Sequence, residues 1–325
     1  MLIRALTLTR LMTCAALLAT AAAATAQTYP SKPIRFVVGF SAGGSTDLLA
    51  RLLADEMRKD WNATVVVENR VGAGGVIAAD HVAKSPPDGY TLFVQSATHT
   101  AIGALRKQLP YHSVDGFTPI TLVATAPNVL LVRPDSPYKT LDSFIAAAKA
   151  KPGEITYATS AVGGALHLAG EQFAHLAGIR LNHVPYKGAN EVTLAVMSGT
   201  VESSWNAANA AMAHVNAGKL HILGVASEKR FALLPNAPTF AELGIKSMTS
   251  ETWVGVLGPA GLPADVTSKL NDYFQNLVKR PDVTEKLHKL GAVPVGTGPA
   301  EFRKLIADEI ATLSDIAKKA KIEID

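Results

Sequence analysis

The feature that most constrains this chain is a unit that recurs along it: an apolar β-rich run, a turn of small residues, then a helix with one apolar face. Residues 34–57 show it first. Ile34-Arg35-Phe36-Val37-Val38 enters Gly39-Phe40-Ser41-Ala42-Gly43-Gly44-Ser45-Thr46-Asp47, after which Leu48, Leu49, Leu52, Leu53 and Met57 recur at helical spacing. Ser45 and Thr46 are N-cap candidates, and Asp47 suits the positive first turn. Turn glycines let backbone approach a ligand closely, and a helix start presents free N–H groups, so the unit forms a seat for an anion. Asp47 would repel that anion, and its expected role is to tie the turn together.

The unit returns down the chain. Thr64-Val65-Val66-Val67-Glu68 enters a glycine-rich turn over 69–75 and a helix to about Lys84, and Tyr90-Thr91-Leu92-Phe93-Val94 follows the turn Pro86-Pro87-Asp88-Gly89. Later, Ile155-Thr156-Tyr157-Ala158 leads to Ser160-Ala161-Val162-Gly163-Gly164, and His183-Val184-Pro185 leads to Tyr186-Lys187-Gly188-Ala189-Asn190. A strand over 201–205 leads to Asn206-Ala207-Ala208-Asn209. This alternation predicts α/β architecture with a parallel sheet and right-handed crossovers. Gly72, Gly74 and Gly75 are read as allowing close helix–strand packing and are left outside the site.

Two long extended runs, 119–132 and 251–257, read as crossings between two domains. The expected division is 27–125 with 253–325 as domain 1 and 126–252 as domain 2. Ligands on open α/β sheets sit at the carboxyl ends of strands. Two domains joined by two crossings would bring the turns onto facing walls of one cleft that closes by hinge motion.

Residues 1–26 read as a signal peptide outside this fold: Arg4 and Arg10 make a basic start, 11–23 an apolar run, and Ala24-Thr25-Ala26 a cleavage site before Gln27. The expected location is the periplasm, by the Sec pathway. The only cysteine, Cys14, lies in that segment, so the mature chain has no disulfide and no thiolate ligand or nucleophile. Cleavage takes the formal charge from +4 to +2 without any basic block, which argues against nucleic acid as a partner. The nine histidines lack the tight spacing of a zinc site, and no metal or other cofactor is expected.

Two enzyme motifs lie close to the first turn. Gly39-Phe40-Ser41-Ala42-Gly43 matches the G-x-S-x-G nucleophile elbow, which makes a periplasmic serine hydrolase using Ser41 one alternative. Only a short stretch separates Gln27 from Ser41, however, whereas the hydrolase elbow follows several earlier strands. The run also approaches a phosphate loop, but Ser45 stands where the lysine belongs.

The ordered motifs Gly43-Gly44-Ser45-Thr46-Asp47, Glu68-Asn69-Arg70-Val71-Gly72-Ala73-Gly74-Gly75, Pro87-Asp88-Gly89-Tyr90-Thr91-Leu92, Leu109-Pro110-Tyr111, His167-Leu168-Ala169-Gly170-Glu171 and His183-Val184-Pro185-Tyr186-Lys187-Gly188 resemble the Bug family of extracytoplasmic solute receptors. The resemblance runs from about Tyr29 to the C-terminus. It implies a two-domain, type II-like periplasmic binding protein that holds a small carboxylate through backbone amides and ordered water, and is not an enzyme. It further implies delivery to the membrane components of a tripartite tricarboxylate transporter by a monomeric receptor; a ligand-binding sensory module is the other alternative. The candidate ligand-binding residues are Phe40, Ser41, Ala42, Gly43, Gly44 and Ser45 in the first turn, Thr98 and His99 after the third strand, and Ser160, Ala161, Gly163, Gly164 and His167. Tyr186, Lys187, Gly188 and Asn206 complete the set, with Asp47 structural. Phe40, Thr98, Tyr186, Asn206 and Trp253 are candidates for the far end of the ligand; for Trp253, packing at the hinge is preferred. A hydrogen bond that holds the cleft wall is the preferred role for His167. Departures from the family pattern are Ala42 for proline, Gly103-Ala104 after Ile102 for Asn-Pro, and Trp205-Asn206 for Phe-Asp. Loss of the acid at Asn206 favours a ligand with a second anionic group or an aromatic acid.

Overall fold

Strand β4 (Phe117–Val132) decides the architecture. Up to Pro127 it pairs antiparallel with β9 (Glu251–Pro259); from Asn128 onward it pairs antiparallel with β7 (Ser203–Ala207) and β8 (His221–Val225). The structure is a computed structural model that describes residues 29–320, and the residues from Pro33 onward make one body. The signal-peptide reading of 1–26 lies outside the described residues.

In the first half of the sheet, β1 (Ile34–Val38) lies parallel between β2 (Val65–Asn69) and β3 (Thr91–Ser96), and β3 pairs antiparallel with β9. In the second half, β5 (Thr156–Thr159) lies parallel between β6 (Asn182–Pro185) and β7. The order is β2-β1-β3-β9-β4-β7-β5-β6, with β8 and the short β10 (Val293–Pro294) also on β4. The parallel sheet expected from the alternation is therefore corrected to a mixed one. β4 runs across both halves, and the chain that returns through Ser250 lays β9 antiparallel beside the first part of β4.

The described helices are α1 (Ser45–Trp61), α2 (Val76–Ala83), α3 (Thr98–Leu105), α4 (Leu141–Ala150), α5 (Ala165–Ala177), α6 (Ala189–Met197), α7 (Ala208–Asn216), α8 (Ala264–Lys279), α9 (Pro281–Lys289) and α10 (Pro299–Ala320). Helix α3 has no place in the sequence reading. Its sequence, THTAIGAL, carries two threonines and a glycine, and packing against α10 overrides that weak propensity. The capping expectation also changes. Helix α1 begins at Ser45 with Gly44 as its N-cap, and neither Ser45 nor Thr46 caps it.

The alternation along β4 explains why both faces of its second half are covered. Leu130 and Val132 enter one core with Tyr157, Phe173, Trp205 and Phe240, whereas Val129 and Leu131 enter another with Val192, Val196, Ala211 and Ile222. In the first half, Val37, Phe93, Phe117, Leu257 and Phe302 share a core. Gly255 in β9 belongs to this packing, since a Cβ there would meet the Phe302 ring and the Thr121 carbonyl oxygen. Gly255→Ala is expected to destabilise the fold by about 1–3 kcal/mol, the usual cost of overpacking. Urea unfolding checks this; an unchanged midpoint would mean that Phe302 moves aside freely.

Candidate functional site

Helices α1, α5, α6 and α7 share an unusual start. Gly44, Gly164, Gly188 and Ala207 stand at their N-cap positions in extended backbone, and no side chain caps any of them. Glycine and alanine have no oxygen to offer, so the first-turn N–H groups stay available. Helix α4 is the contrast: Thr140 and Ser143 form a full capping box there.

A second regularity accompanies the missing caps. The third residue of α1, α5 and α6 reaches back to the N–H of the residue before the cap. Gly43 N donates to Asp47 Oδ2 at 2.8 Å, Gly163 N to His167 Nδ1 at 2.9 Å, and Lys187 N to Glu191 Oε2 at 3.0 Å. The turn is thereby pinned by a group behind the cap, which leaves the donors ahead of it free.

These helix starts meet. A cavity of about 40 Å³ is lined by Gly44, Ser45 and Thr46 of α1, Thr98 of α3, Ala165 and Leu166 of α5, Ala189 of α6, and Ala207 and Ala210 at α7. Phe40, Ser96, Ser160 and Thr252 complete its wall, and none of these side chains is charged. Five helix N-termini, each equivalent to roughly half a positive charge, converge on this space. A larger cavity of about 430 Å³ adjoins it, and Phe40 and Ser160 line both. Its wall also contains Ala161, Val162, Tyr186, Lys187, Glu191, Arg106 and the turn from Val71 to Gly74. This volume lies within the range of small-molecule sites, whereas the inner one has room only for a few waters or a group of the size of one carboxylate.

The two walls are in contact. Ser41 Oγ donates to Glu191 Oε1 at 3.2 Å, and Asn209 Nδ2 donates to Ser45 Oγ. A Cβ on Gly188 would lie 3.0 Å from that of Ser41, so glycine permits the approach. Ser41 is thus bonded to a carboxylate, which is not the serine–histidine pairing of a nucleophile elbow. Among the described residues, no group of His, Cys, Asp and Glu is placed to hold a metal ion.

The sequence candidates separate in space. Phe40, Gly44, Ser45, Thr98 and Ser160 line the inner cavity, and Ala161, Tyr186 and Lys187 line the outer one. Gly43 and Gly163 spend their N–H groups on the back-bonds, Gly164 and Gly188 are caps, and Ala42 lines neither cavity. His167 lies in the wall, stacked on His183 with centroids 3.9 Å apart. Asp47 is buried and accepts from Gly43 N, Arg51 and Asn69, and Asn69 also donates to the Phe40 carbonyl.

Three candidates lie elsewhere. His99 is buried against Tyr111 and Phe117 with Nε2 bonded to the Ser113 carbonyl, and burial pushes its pKa down to about 4. Asn206 is fully buried, 3.4 Å from Ser204 Oγ, and lines neither cavity. Its neighbour Trp205 stacks on Phe240 in the core. Trp253 packs edge-on to Phe302 in the core of the first half and donates to Glu309 Oε2 at 2.8 Å. The sequence reading leaves Glu191, Asn209 and Arg106 out of the site, and Gly72 and Gly74, read there as packing glycines outside it, line the outer cavity. Glu191 was within reach, because it stands where Asp47 and His167 stand relative to their glycines.

Burial opposes ionisation of Asp47, but hydrogen bonds from Arg51, the Gly43 N–H and Asn69 outweigh it and hold its pKa below the ordinary 3.8. A depressed folded value means that the stability it contributes is complete above about pH 4 and lost as pH falls through the folded value. Asp47→Asn is expected to cost about 1–3 kcal/mol at neutral pH and to flatten the acid limb of stability. Thermal unfolding between about pH 2 and pH 7 checks this, and an unaltered acid limb would contradict it.

An α/β sheet crossed by two strands, with helix starts around an enclosed space, defines a solute-binding protein, and the fold matches that of a solved periplasmic binding protein. The chain belongs to the tripartite tricarboxylate transporter receptor family, whose sequence profile, "Tripartite tricarboxylate transporter family receptor", matches residues 49–322. It is 36% identical over 301 residues to Protein BugT of Bordetella pertussis (strain Tohama I), with 92% of each chain covered. Among solved structures it resembles R. palustris Rpa4515 with adipate at 32% identity and TM-score 0.88, covering 91% of this chain and 99% of that one. It also resembles MatC (Rpa3494) from Rhodopseudomonas palustris with bound malate at 30% identity and TM-score 0.84, covering 89% and 99%.

Proposed function

We propose that the protein is a periplasmic receptor that captures a small organic mono- or dicarboxylate between two lobes and delivers it to the membrane components of a tripartite tricarboxylate transporter. The observation that carries this reading is the inner cavity, where uncapped helix starts converge and no charged side chain intrudes. The relatives solved with adipate and malate support the ligand class. One lobe is 27–125 with 253–325 and the other is 126–252, hinged where β4 changes partners at Pro127 and Asn128 and where the chain returns through Ser250. The wall contacts at Ser41–Glu191 and Ser45–Asn209 hold the closed form. The leader over 1–26 supports export to the periplasm, and the receptor acts as a monomer.

The magnitudes are adequate. A micromolar receptor needs about −8 kcal/mol. Each hydrogen bond to a carboxylate contributes roughly 1.5–3 kcal/mol and each helix start about 0.3–2 more, before ordering costs. Three or four amides on one carboxylate thus carry much of the affinity, and water in the inner cavity can bridge the rest.

Titration calorimetry against a carboxylate panel is the direct test, on protein freed of retained ligand. Micromolar binding of at least one carboxylate is expected, and binding of none would contradict the reading. Ala210→Phe fills the inner cavity from α7 and is expected to weaken that binding about 100-fold or more, corresponding to the loss of two charged hydrogen bonds. An unfolding midpoint close to that of the parent would show that the loss arises in the cavity.

A further inference from the structure

The outer cavity contains a cation that the carboxylate clamp does not use. Arg106 follows directly after α3, whose first residue, Thr98, lines the inner cavity. One short helix therefore connects the clamp at its N-terminal end with a guanidinium at the other. At 1.5 Å per residue, eight residues span about 12 Å, a distance that an arginine side chain folding back shortens. The Arg106 Nε is buried without a hydrogen-bond partner, and no ion pair with a carboxylate engages the guanidinium among the described residues.

The charges around it make this notable. The carboxylate in the same cavity, Glu191, already accepts from Ser41 Oγ and from the Lys187 N–H. Lys187 itself adds a second positive side chain to the wall. A partly buried guanidinium with no carboxylate paired to it is costly, and its planar fork matches a carboxylate held by two parallel hydrogen bonds.

We propose that Arg106 forms a distal subsite for a second carboxylate, so that the preferred ligand is a linear dicarboxylate. One carboxylate would sit among the helix starts of the inner cavity, the chain would pass Phe40 and Ser160, and the other end would pair with Arg106 in the outer cavity. The inference rests on the carboxylate reading of the site and adds to it what recognises the far end. It also assigns the second anionic group to a residue outside the turns.

Calorimetry with matched pairs of equal chain length tests the subsite: succinate and butyrate, adipate and hexanoate, suberate and octanoate. The parent protein is expected to bind at least one dicarboxylate about tenfold or more tighter than its monocarboxylate partner, the size of one charged hydrogen-bonded contact. Arg106→Gln is expected to bring that ratio to within about twofold, and Arg106→Lys, which keeps the charge without the fork, to give an intermediate ratio. Equal affinity within each pair, or a preference that survives Arg106→Gln, would overturn the subsite while leaving the clamp in place. Binding of no carboxylate of either kind would overturn the clamp as well. Thermal unfolding of both variants separates a local loss from a failure to fold.

Discussion

The cleft depends on one small hydrogen bond used three times. A side chain on the third helical residue (Asp47, His167 or Glu191) accepts the N–H of the residue before the glycine cap. An ordinary N-cap side chain would take a first-turn donor for itself. Here the turn is fixed from behind, so the donors at the helix mouth face the cavity without an internal acceptor. Three different residue types serve, because the bond requires only an acceptor atom at the right reach. Two of them carry negative charge close to an anion seat. Asp47 is held away from it by Arg51 and Asn69, whereas Glu191 is turned across the cleft towards Ser41.

That use of Glu191 joins the local motif to the opposite wall. The same carboxylate pins its own turn through one oxygen and reaches the opposite wall through the other. Between the halves, β4 alone is continuous, and Asn128 is tied to Ser250 by backbone and side chain where β4 changes partners. Behind them, Glu309 receives Trp253 Nε1 and Thr100 Oγ1, and burial raises its pKa despite those two bonds.

The inner cavity is lined by helix starts and no charged side chain. Fixed backbone dipoles stabilise an anion in a water-poor space, and no side-chain cation has to be desolvated first. Cations stand farther out, at Lys187 and Arg106, where the outer cavity opens. The arrangement separates an uncharged inner wall of helix starts from an outer wall that carries charged side chains.

Much of this was legible in the sequence. The strand over 34–38, the glycine turn and the apolar stripe of Leu49, Leu53 and Met57 depend on neighbours in the chain, so periodicity and turn chemistry determined them. The ordered motifs likewise marked the family, and helix-opening turns that the sequence singled out stand around the inner cavity. What only the tertiary structure decided is which way each side chain faces and what meets it across the cleft. His99 and Thr98 are adjacent, yet one is buried beside Phe117 and the other lines the cavity, because neighbours on a helix point about 100° apart. Trp205, Asn206 and Ala207 are consecutive in β7, and only the last reaches the inner cavity. Arg106 and Glu191 gain their places from contacts between residues far apart in the chain, which no local pattern records.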